Sequence, residues 1–321
     1  VYKRQVLTNP ATSTASANPA VDRIGVMPNL RAIIEDGQFN MRPDIYIRDF
    51  AGDDGDPHSS AISASPDVIL LPATVADPQV AYGEGSGTEM LNNLGYEALD
   101  NQDNYIYVRA KNRGGSNAVG ATAQVFWSPV STLVTPDLWT PVGTQALPTL
   151  PTGDTLVAAG PITWADADIP APGHYCFVAI LDHPQDPGPT PVDFLDWDNF
   201  RAFIRNNNNV TWRNFNVVPN APPPGADMIA QPFLMAGAFD RTRKMRLEVA
   251  LRLPRGARAE LLVPDHLAEG FLRHRSPFMK FEKEEGRIAV KLNPAGRTRF
   301  HTMAMPPKVR HQMELRVHIP K

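Results

Sequence analysis

Proline is spread along the chain at a density that disfavours long helices. The sequence contains 32 prolines among 321 residues, about twice the usual share of ~5%. Each proline lacks a backbone N–H donor, and its ring clashes with the preceding helical turn. The longest regular elements are therefore expected to be strands, and we predict an all-β fold.

Several segments alternate between apolar and polar residues with the period of two that is typical of a half-buried strand. Within residues 104–111, Ile106, Val108 and Ala110 share one face, and polar residues share the other. Residues 175–181 are apolar on both faces, which predicts a strand in the middle of a sheet. Residues 244–253 alternate most regularly of all. One face buried and one face solvated is the pattern of an antiparallel sandwich.

The length and one proline-rich segment predict the domain organisation. A chain of 321 residues has the length of about two domains. We predict an Ig-like β-sandwich with long loop insertions at 44–219, a Pro-rich linker at 220–226 and a smaller basic β-sandwich at 227–321. Residues 1–43 are expected to form an irregular linker or the tail of an upstream domain. Residues 1–5 match the translated end of a common sequencing adapter, so we expect them to pack against nothing.

Charge is distributed unevenly between the two predicted modules. Residues 227–321 contain 19 Lys and Arg against 10 Asp and Glu, whereas residues 1–226 contain 12 against 24. Such asymmetry is expected where the charges form the solvated faces of strands. Otherwise it indicates a surface that binds a polyanion, or docking of the 241–258 region on acidic loops of the first module, loosened by salt. The predicted polyanion-binding residues are Arg241, Arg243, Lys244, Arg246, Arg252, Arg255 and Arg258. Aromatic residues are not interleaved with them, and there is no nucleic-acid-binding motif, so base stacking is not expected.

Two acidic loops are candidates for calcium binding, because Ca²⁺ takes six to eight oxygen ligands from flexible loops. Neither loop has the spacing of an EF-hand, and Asp is also a favoured turn residue. The predicted ligands are Asp49, Asp53, Asp54 and Asp56 in the first loop, with Asp196 and Asp198 in the second. No other cofactor is predicted.

No catalytic residues are predicted. The chain has a single cysteine, Cys176, so it has no internal disulfide, and its apolar strand predicts a buried, inert thiol rather than a nucleophile paired with His174. The fingerprints of common hydrolases, phosphate-binding loops and dinucleotide-binding folds are absent from the sequence. No run of 18 apolar residues exists to span a membrane.

The first predicted module combines strand alternation, a Gly-containing turn and an Asn-rich final hairpin, found at 104–117, 121–127, 172–179, 206–209 and 213–218. With these motifs it resembles bacterial Ig-like adhesion-related domains of the CARDB-like type over residues 66–219. Two insertions, at 79–103 and 183–205, depart from that pattern. The resemblance implies a non-catalytic repeat of secreted or surface bacterial proteins, often appended to hydrolases.

These features predict a non-catalytic structural, adhesion or accessory module of a larger bacterial exported or surface protein. One alternative is the accessory C-terminal region of a hydrolase whose catalytic domain lies upstream. Another is a polyanion-binding module. The expected partners are neighbouring domains of the same chain, together with an acidic polymer or another protein, and the expected location is extracellular.

Overall fold

The computed structural model describes residues 42–131, 135–194, 197–219, 228–238, 241–267, 281–284 and 286–318. Residues 1–5, most of the predicted N-terminal tail and the predicted linker at 220–226 lie outside these ranges.

The N-terminal part, residues 42–219, consists mainly of short strands. The strands are β1 (Ile45–Tyr46), β2 (Val68–Leu71), β3 (Glu97–Leu99), β4 (Asn104–Asn112), β5 (Thr122–Pro129), β6 (Thr140–Ala146), β7 (Val157–Trp164), β8 (Gly173–Asp182) and β9 (Val210–Val218). The α-helices described here are α1 (Pro78–Tyr82) and α2 (Trp197–Asn206), and short 3₁₀ turns lie at Pro136–Leu138, Asp166–Asp168 and Pro191–Phe194.

Two sheets of the N-terminal part pack face to face. One has the strand order β3-β9-β8-β5-β6, and in the other β4 pairs with β1, β2 and β7. Their shared core includes Ile106 and Val108 of β4, Trp164 of β7, Phe177 of β8 and Phe215 of β9. The rings of Phe177 and Phe215 stack with their centroids 3.9 Å apart. These two sheets therefore form a β-sandwich.

Strand β8 lies in the middle of its sheet, between β9 and β5, as its sequence predicts. One of its faces contributes Phe177 to the sandwich core. The opposite face contributes Cys176 and Val178 to a second cluster that includes Phe194 and Ile204. Phe194 belongs to the 3₁₀ turn before α2, and Ile204 belongs to α2 itself. Apolar residues are therefore required on both faces of β8.

The structure corrects two expectations about this part. The insertions at 79–103 and 183–205 are not simple loops, because they contain β3, most of α1 and most of α2. The polar face of β4 is also not solvated throughout: Tyr107 and Arg109 are fully buried. The segment that includes α1 covers this face, and the backbone N–H of Val75 donates a hydrogen bond to the Tyr107 hydroxyl.

The C-terminal part, residues 228–318, is also built from strands. They are β10 (Met228–Ala236), β11 (Arg243–Ala250), β12 (Arg258–Pro264), β13 (Phe281–Glu284), β14 (Arg287–Leu292), β15 (Arg297–Met305) and β16 (Arg310–His318). One sheet has the order β10-β16-β12-β14-β13, and β11 pairs with β15 in a separate two-stranded ribbon. The ribbon packs Met245, Leu247 and Val249 against the cluster formed by the sheet. The alternation predicted for 244–253 is therefore confirmed.

The all-β fold predicted from the sequence is confirmed by these sheets. Within the part of the chain that the structure describes, no helix has the length and apolar character needed to cross a membrane. The division into two domains stays a prediction.

Candidate functional site

A buried carboxylate, Asp67, is the centre of a charged cluster inside the N-terminal sandwich. It lies just before β2, and one of its oxygens accepts hydrogen bonds from the Arg48 backbone N–H and from Arg48 Nε, both at 2.9 Å. The other oxygen accepts from a terminal nitrogen of Arg48 at 2.7 Å and from Arg109 Nε at 2.9 Å. Asp67 and Arg109 are both 0% exposed. Burial acts to raise the pKa of Asp67, but the charges and hydrogen bonds of Arg48 and Arg109 hold it below its ordinary value.

The remaining arginine donors of this cluster bind backbone carbonyls. Arg109 donates to the carbonyls of Pro66 at 2.8 Å and Thr88 at 3.0 Å. Arg213 of β9 donates to the carbonyls of Val68 and Leu94, and burial lowers its pKa to about 10. These bonds attach the segment before β3 to the sandwich. The cluster is therefore structural, and no sequence pattern pointed to Asp67, Arg48 or Arg213 as site residues.

A second cluster joins a carboxylate to an imidazole at the start of the predicted calcium loop. Asp49 is buried, and its two oxygens accept hydrogen bonds from the Thr211 hydroxyl at 2.7 Å and from His58 Nε2 at 3.0 Å. The backbone N–H of Ser60 donates to His58 Nδ1 at 3.1 Å. Because Nδ1 is an acceptor, Nε2 carries the ring proton and donates it toward Asp49.

Asp53 completes this cluster. Its oxygens accept from the backbone N–H groups of Asp49 and Gly55, each at 2.8 Å. The backbone N–H of His58 in turn donates to the Arg205 carbonyl at 3.2 Å. All four carboxylate oxygens of Asp49 and Asp53 therefore accept hydrogen bonds, and the cluster fastens the acidic loop to β9 and to α2.

Burial raises the pKa of Asp49 to about 7, against the opposing hydrogen bonds from His58 and Thr211. The hydrogen bond to Asp49 raises the pKa of His58 above its ordinary value. Asp49 and His58 therefore hold a proton at neutral pH more tightly than the same groups in an unfolded chain.

The ligand atoms of Asp49, Asp53 and His58 lie within 4.8 Å of one another, close enough to hold one metal ion. They border a cavity of about 10 Å³, about the volume needed for one water molecule. The donor set combines carboxylate oxygens with an imidazole nitrogen, whereas calcium prefers oxygen ligands throughout. Calcium binding at Asp49 and Asp53 stays a prediction.

The other predicted calcium ligands in this loop, Asp54 and Asp56, form hydrogen bonds and ion pairs with residues other than Asp49, Asp53 and His58. Asp54 accepts from the Asp56 backbone N–H at 3.0 Å. The Asp56 carboxylate pairs with Arg113 at 3.1 Å. Asp196, and the side chain of Asp198, lie outside the described residues.

The structure divides the predicted basic cluster among several places. Lys244 and Arg246 are exposed on β11, and Arg252 is exposed beyond its end. Arg258 instead lies at the start of β12, beside a groove of about 440 Å³. Of the remaining members, Arg241 lies before β11 and Arg243 is its first residue. Arg255 lies in the connection between β11 and β12. Two exposed arginines of β15, absent from the predicted set, lie opposite β11.

Cys176 is buried, as predicted, and burial raises the pKa of its thiol to about 12. Its Sγ lies 3.4 Å from Asn214 Oδ1. His174 Nδ1 lies 2.7 Å from Asn216 Oδ1. Asn209, which carries a formal glycosylation sequon, is 0% exposed, so the folded chain does not present it for modification.

No protein-family model matches the chain, and no curated protein matches it. Among solved structures, it is similar to a CARDB domain from Pyrococcus furiosus in complex with di-metal ions, with 15% identity over 52% of this chain and 97% of that chain (TM-score 0.24). A red sea bream transglutaminase is 11% identical over 70% of this chain and 30% of its own (TM-score 0.21). The secreted serine protease VesC from Vibrio cholerae is 11% identical over 70% of this chain and 44% of its own (TM-score 0.25).

Proposed function

We propose that the chain is a non-catalytic structural module of a larger bacterial exported or surface protein, acting as a rigid spacer that presents its neighbouring domains. The observation that supports this proposal is a direct junction between the N-terminal and C-terminal parts. Charged groups inside the N-terminal part also serve rigidity, because Asp67 binds Arg48 and Arg109 within the fold.

Backbone pairing forms the centre of the junction. The backbone N–H of Leu234, in β10, donates to the Val130 carbonyl at 2.6 Å, and Leu234 forms a parallel β-bridge with Ser131. An ion pair between Asp137 and Arg310 lies across the same junction. Arg310 lies outside the predicted basic cluster, and docking of the 241–258 region on acidic loops stays a prediction.

The junction lies along the edge of β10 that faces away from β16. Strand β10 is an edge strand that pairs on one side with β16. In an antiparallel pair, alternate residues direct their N–H groups away from the partner strand. The Leu234 N–H points away from β16, because it reaches Val130. Pro232 and Ala230 lie two and four residues earlier on the same strand, so their backbone polar groups also point away from β16. An edge strand bonded in this way holds its neighbour by main-chain bonds, which salt screens much less than exposed ion pairs.

Small-angle X-ray scattering with two proline variants tests the proposal. Leu234→Pro removes the junction donor without removing a bond to β16. Ala230→Pro is the matched control, because it changes an exposed residue in step with Leu234 that makes no described junction bond. We expect Leu234→Pro to increase the radius of gyration and broaden the distance distribution. The wild type and Ala230→Pro should keep one compact profile at low and high salt.

An extended, flexible envelope for the wild-type chain would contradict the spacer role. So would identical profiles for the wild type and Leu234→Pro, provided that circular dichroism shows both proteins to be folded.

A further inference from the structure

The outer face of the β11–β15 ribbon carries a concentrated positive charge. We call it the cationic face and define it by five exposed residues: Lys244 and Arg246 of β11, Arg297 and Arg299 of β15, and Arg252, which lies just beyond the end of β11. The inner face of the ribbon supplies Leu247 and Val249 to the core. Because alternate residues of a strand point to opposite sides, burying the apolar set fixes the cationic set toward solvent.

Cross-strand register places the two arginines of β15 beside β11. Arg299 pairs in register with Glu248, and Arg297 pairs with Ala250. The Glu248 carboxylate binds Arg299 at 2.6 Å and Arg297 at 3.0 Å. Glu248 is the acidic member among the described residues of this face, so five cations and one carboxylate leave a formal charge of +4.

Small residues lie between the cations and leave room for a flat ligand. Ala304 lies opposite Lys244, and Thr302 lies opposite Arg246. Ala304, Thr302 and Ala250 are exposed. Same-face positions of a strand recur about every 6.6 Å, so the stretch from Lys244 to Arg252 is about 26 Å long. This geometry suits an extended polymer with regularly repeated acidic groups.

We propose that the cationic face binds an acidic polysaccharide, whose carboxylate or sulfate groups pair with the guanidinium groups. Arginine forms planar, two-point hydrogen bonds with such groups. A single-stranded nucleic acid fits less well, because its bases stack on exposed aromatic rings and Phe300, the aromatic residue of β15, is buried in the core. Double-stranded DNA is bound through its phosphates, so a duplex serves as the competing ligand in the test. The proposal goes beyond the spacer role and does not depend on it.

Fluorescence anisotropy of labelled heparin, a sulfated uronate polysaccharide, provides the test. We expect saturable binding at about 0.1 M salt that falls steeply as ionic strength rises. Arg246→Glu should weaken binding about five- to tenfold, because it replaces an exposed attraction with a repulsion. The matched control is Arg201→Glu, which makes the same charge change at an exposed position of α2 and should bind like the wild type.

Two further probes separate the ligand classes. A short DNA duplex and vesicles of phosphatidylglycerol are titrated under the same conditions, with polygalacturonate as an unsulfated competitor of heparin. Competition by polygalacturonate, with weaker binding of DNA and vesicles, would support the proposal. Tighter binding of DNA or vesicles than of heparin, or an equal loss in Arg246→Glu and Arg201→Glu, would overturn it. The spacer role, tested by scattering, is unaffected by either result.

Discussion

Replacing Asp67 by Asn should destabilise the N-terminal sandwich more than most single substitutions. Asn is nearly the same size as Asp, so the change removes the charge without opening a cavity. Its side chain cannot accept on both positions from the Arg48 and Arg109 donors that now surround the carboxylate, because one position becomes an NH₂ donor. Two buried guanidinium groups would therefore lose their counter-ion.

The magnitude follows from the burial of the group. Removing one partner of a buried ion pair costs about 3–5 kcal/mol, because the other charge stays buried without compensation. The total stability of a domain is only about 5–15 kcal/mol. With a urea slope of about 1–3 kcal/mol/M, the midpoint should fall by roughly 1–5 M.

Tryptophan fluorescence during urea unfolding provides a selective assay. All five tryptophans lie between residues 127 and 212, so the signal reports the N-terminal part alone. The control is Asp56→Asn, which makes the same chemical change in an exposed pair with Arg113. An exposed pair contributes about 0–1 kcal/mol, so this control should unfold nearly like the wild type. If Asp67→Asn and Asp56→Asn lose similar stability, the Asp67 cluster does not hold the sandwich together as argued.

The Asp49–His58 pair and Cys176 support two further predictions. The pKa of Asp49 rises from 3.8 to about 7 on folding, and that of His58 also rises, so the folded chain holds protons that the unfolded chain releases. The free energy of unfolding should therefore decrease between about pH 4 and pH 7, the interval between the unfolded and folded pKa of Asp49, and less steeply in Asp49→Asn. An equal pH dependence of the free energy of unfolding in both proteins would refute this. Cys176 should react with a thiol reagent only at the rate of unfolding, since burial raises its pKa to about 12 and the thiolate is the reactive form. Rapid labelling in native buffer, matching that in urea, would contradict it.

The strand framework was predictable from the sequence because burial imposes a readable period. The apolar run around Cys176 correctly indicated a strand in the middle of a sheet. Helix α2 was missed because it lies in a segment read as a loop insertion. A signal was present there: Trp197, Phe200, Phe203 and Ile204 recur at helical spacing. A ten-residue helix is too short for that spacing to stand out among turn-forming residues.

The candidate sites were harder to predict, because they depend on which distant segments meet. The acidic loop identified Asp49 and Asp53 as candidates. The position of Asp49 also depends on its hydrogen bond from Thr211, and that of His58 on its hydrogen bond to the Arg205 carbonyl. The hydrogen bond between Thr211 and Asp49 spans 162 residues of sequence, and no local pattern encodes such a pairing. The Asp67 cluster also joins Arg48, Asp67, Arg109 and Arg213 from four separate segments, which explains why Arg48 gave no signal by itself.

Two arginines with similar sequence contexts show what decides between interior and surface roles. Arg109 in β4 and Arg246 in β11 both alternate with apolar residues, and each context predicts a solvated side chain. Arg109 is buried because the segment containing α1 folds over its face, and Asp67 supplies the opposite charge. The ribbon face that carries Arg246 is exposed, and Glu248 offsets only part of its charge. A guanidinium that is already bonded inside the fold has no donors left for a ligand. In the ribbon, the bonds to Glu248 use one nitrogen each of Arg297 and Arg299 and leave their other donors directed toward solvent. For that reason we assign external binding to the ribbon and structural rigidity to the sandwich.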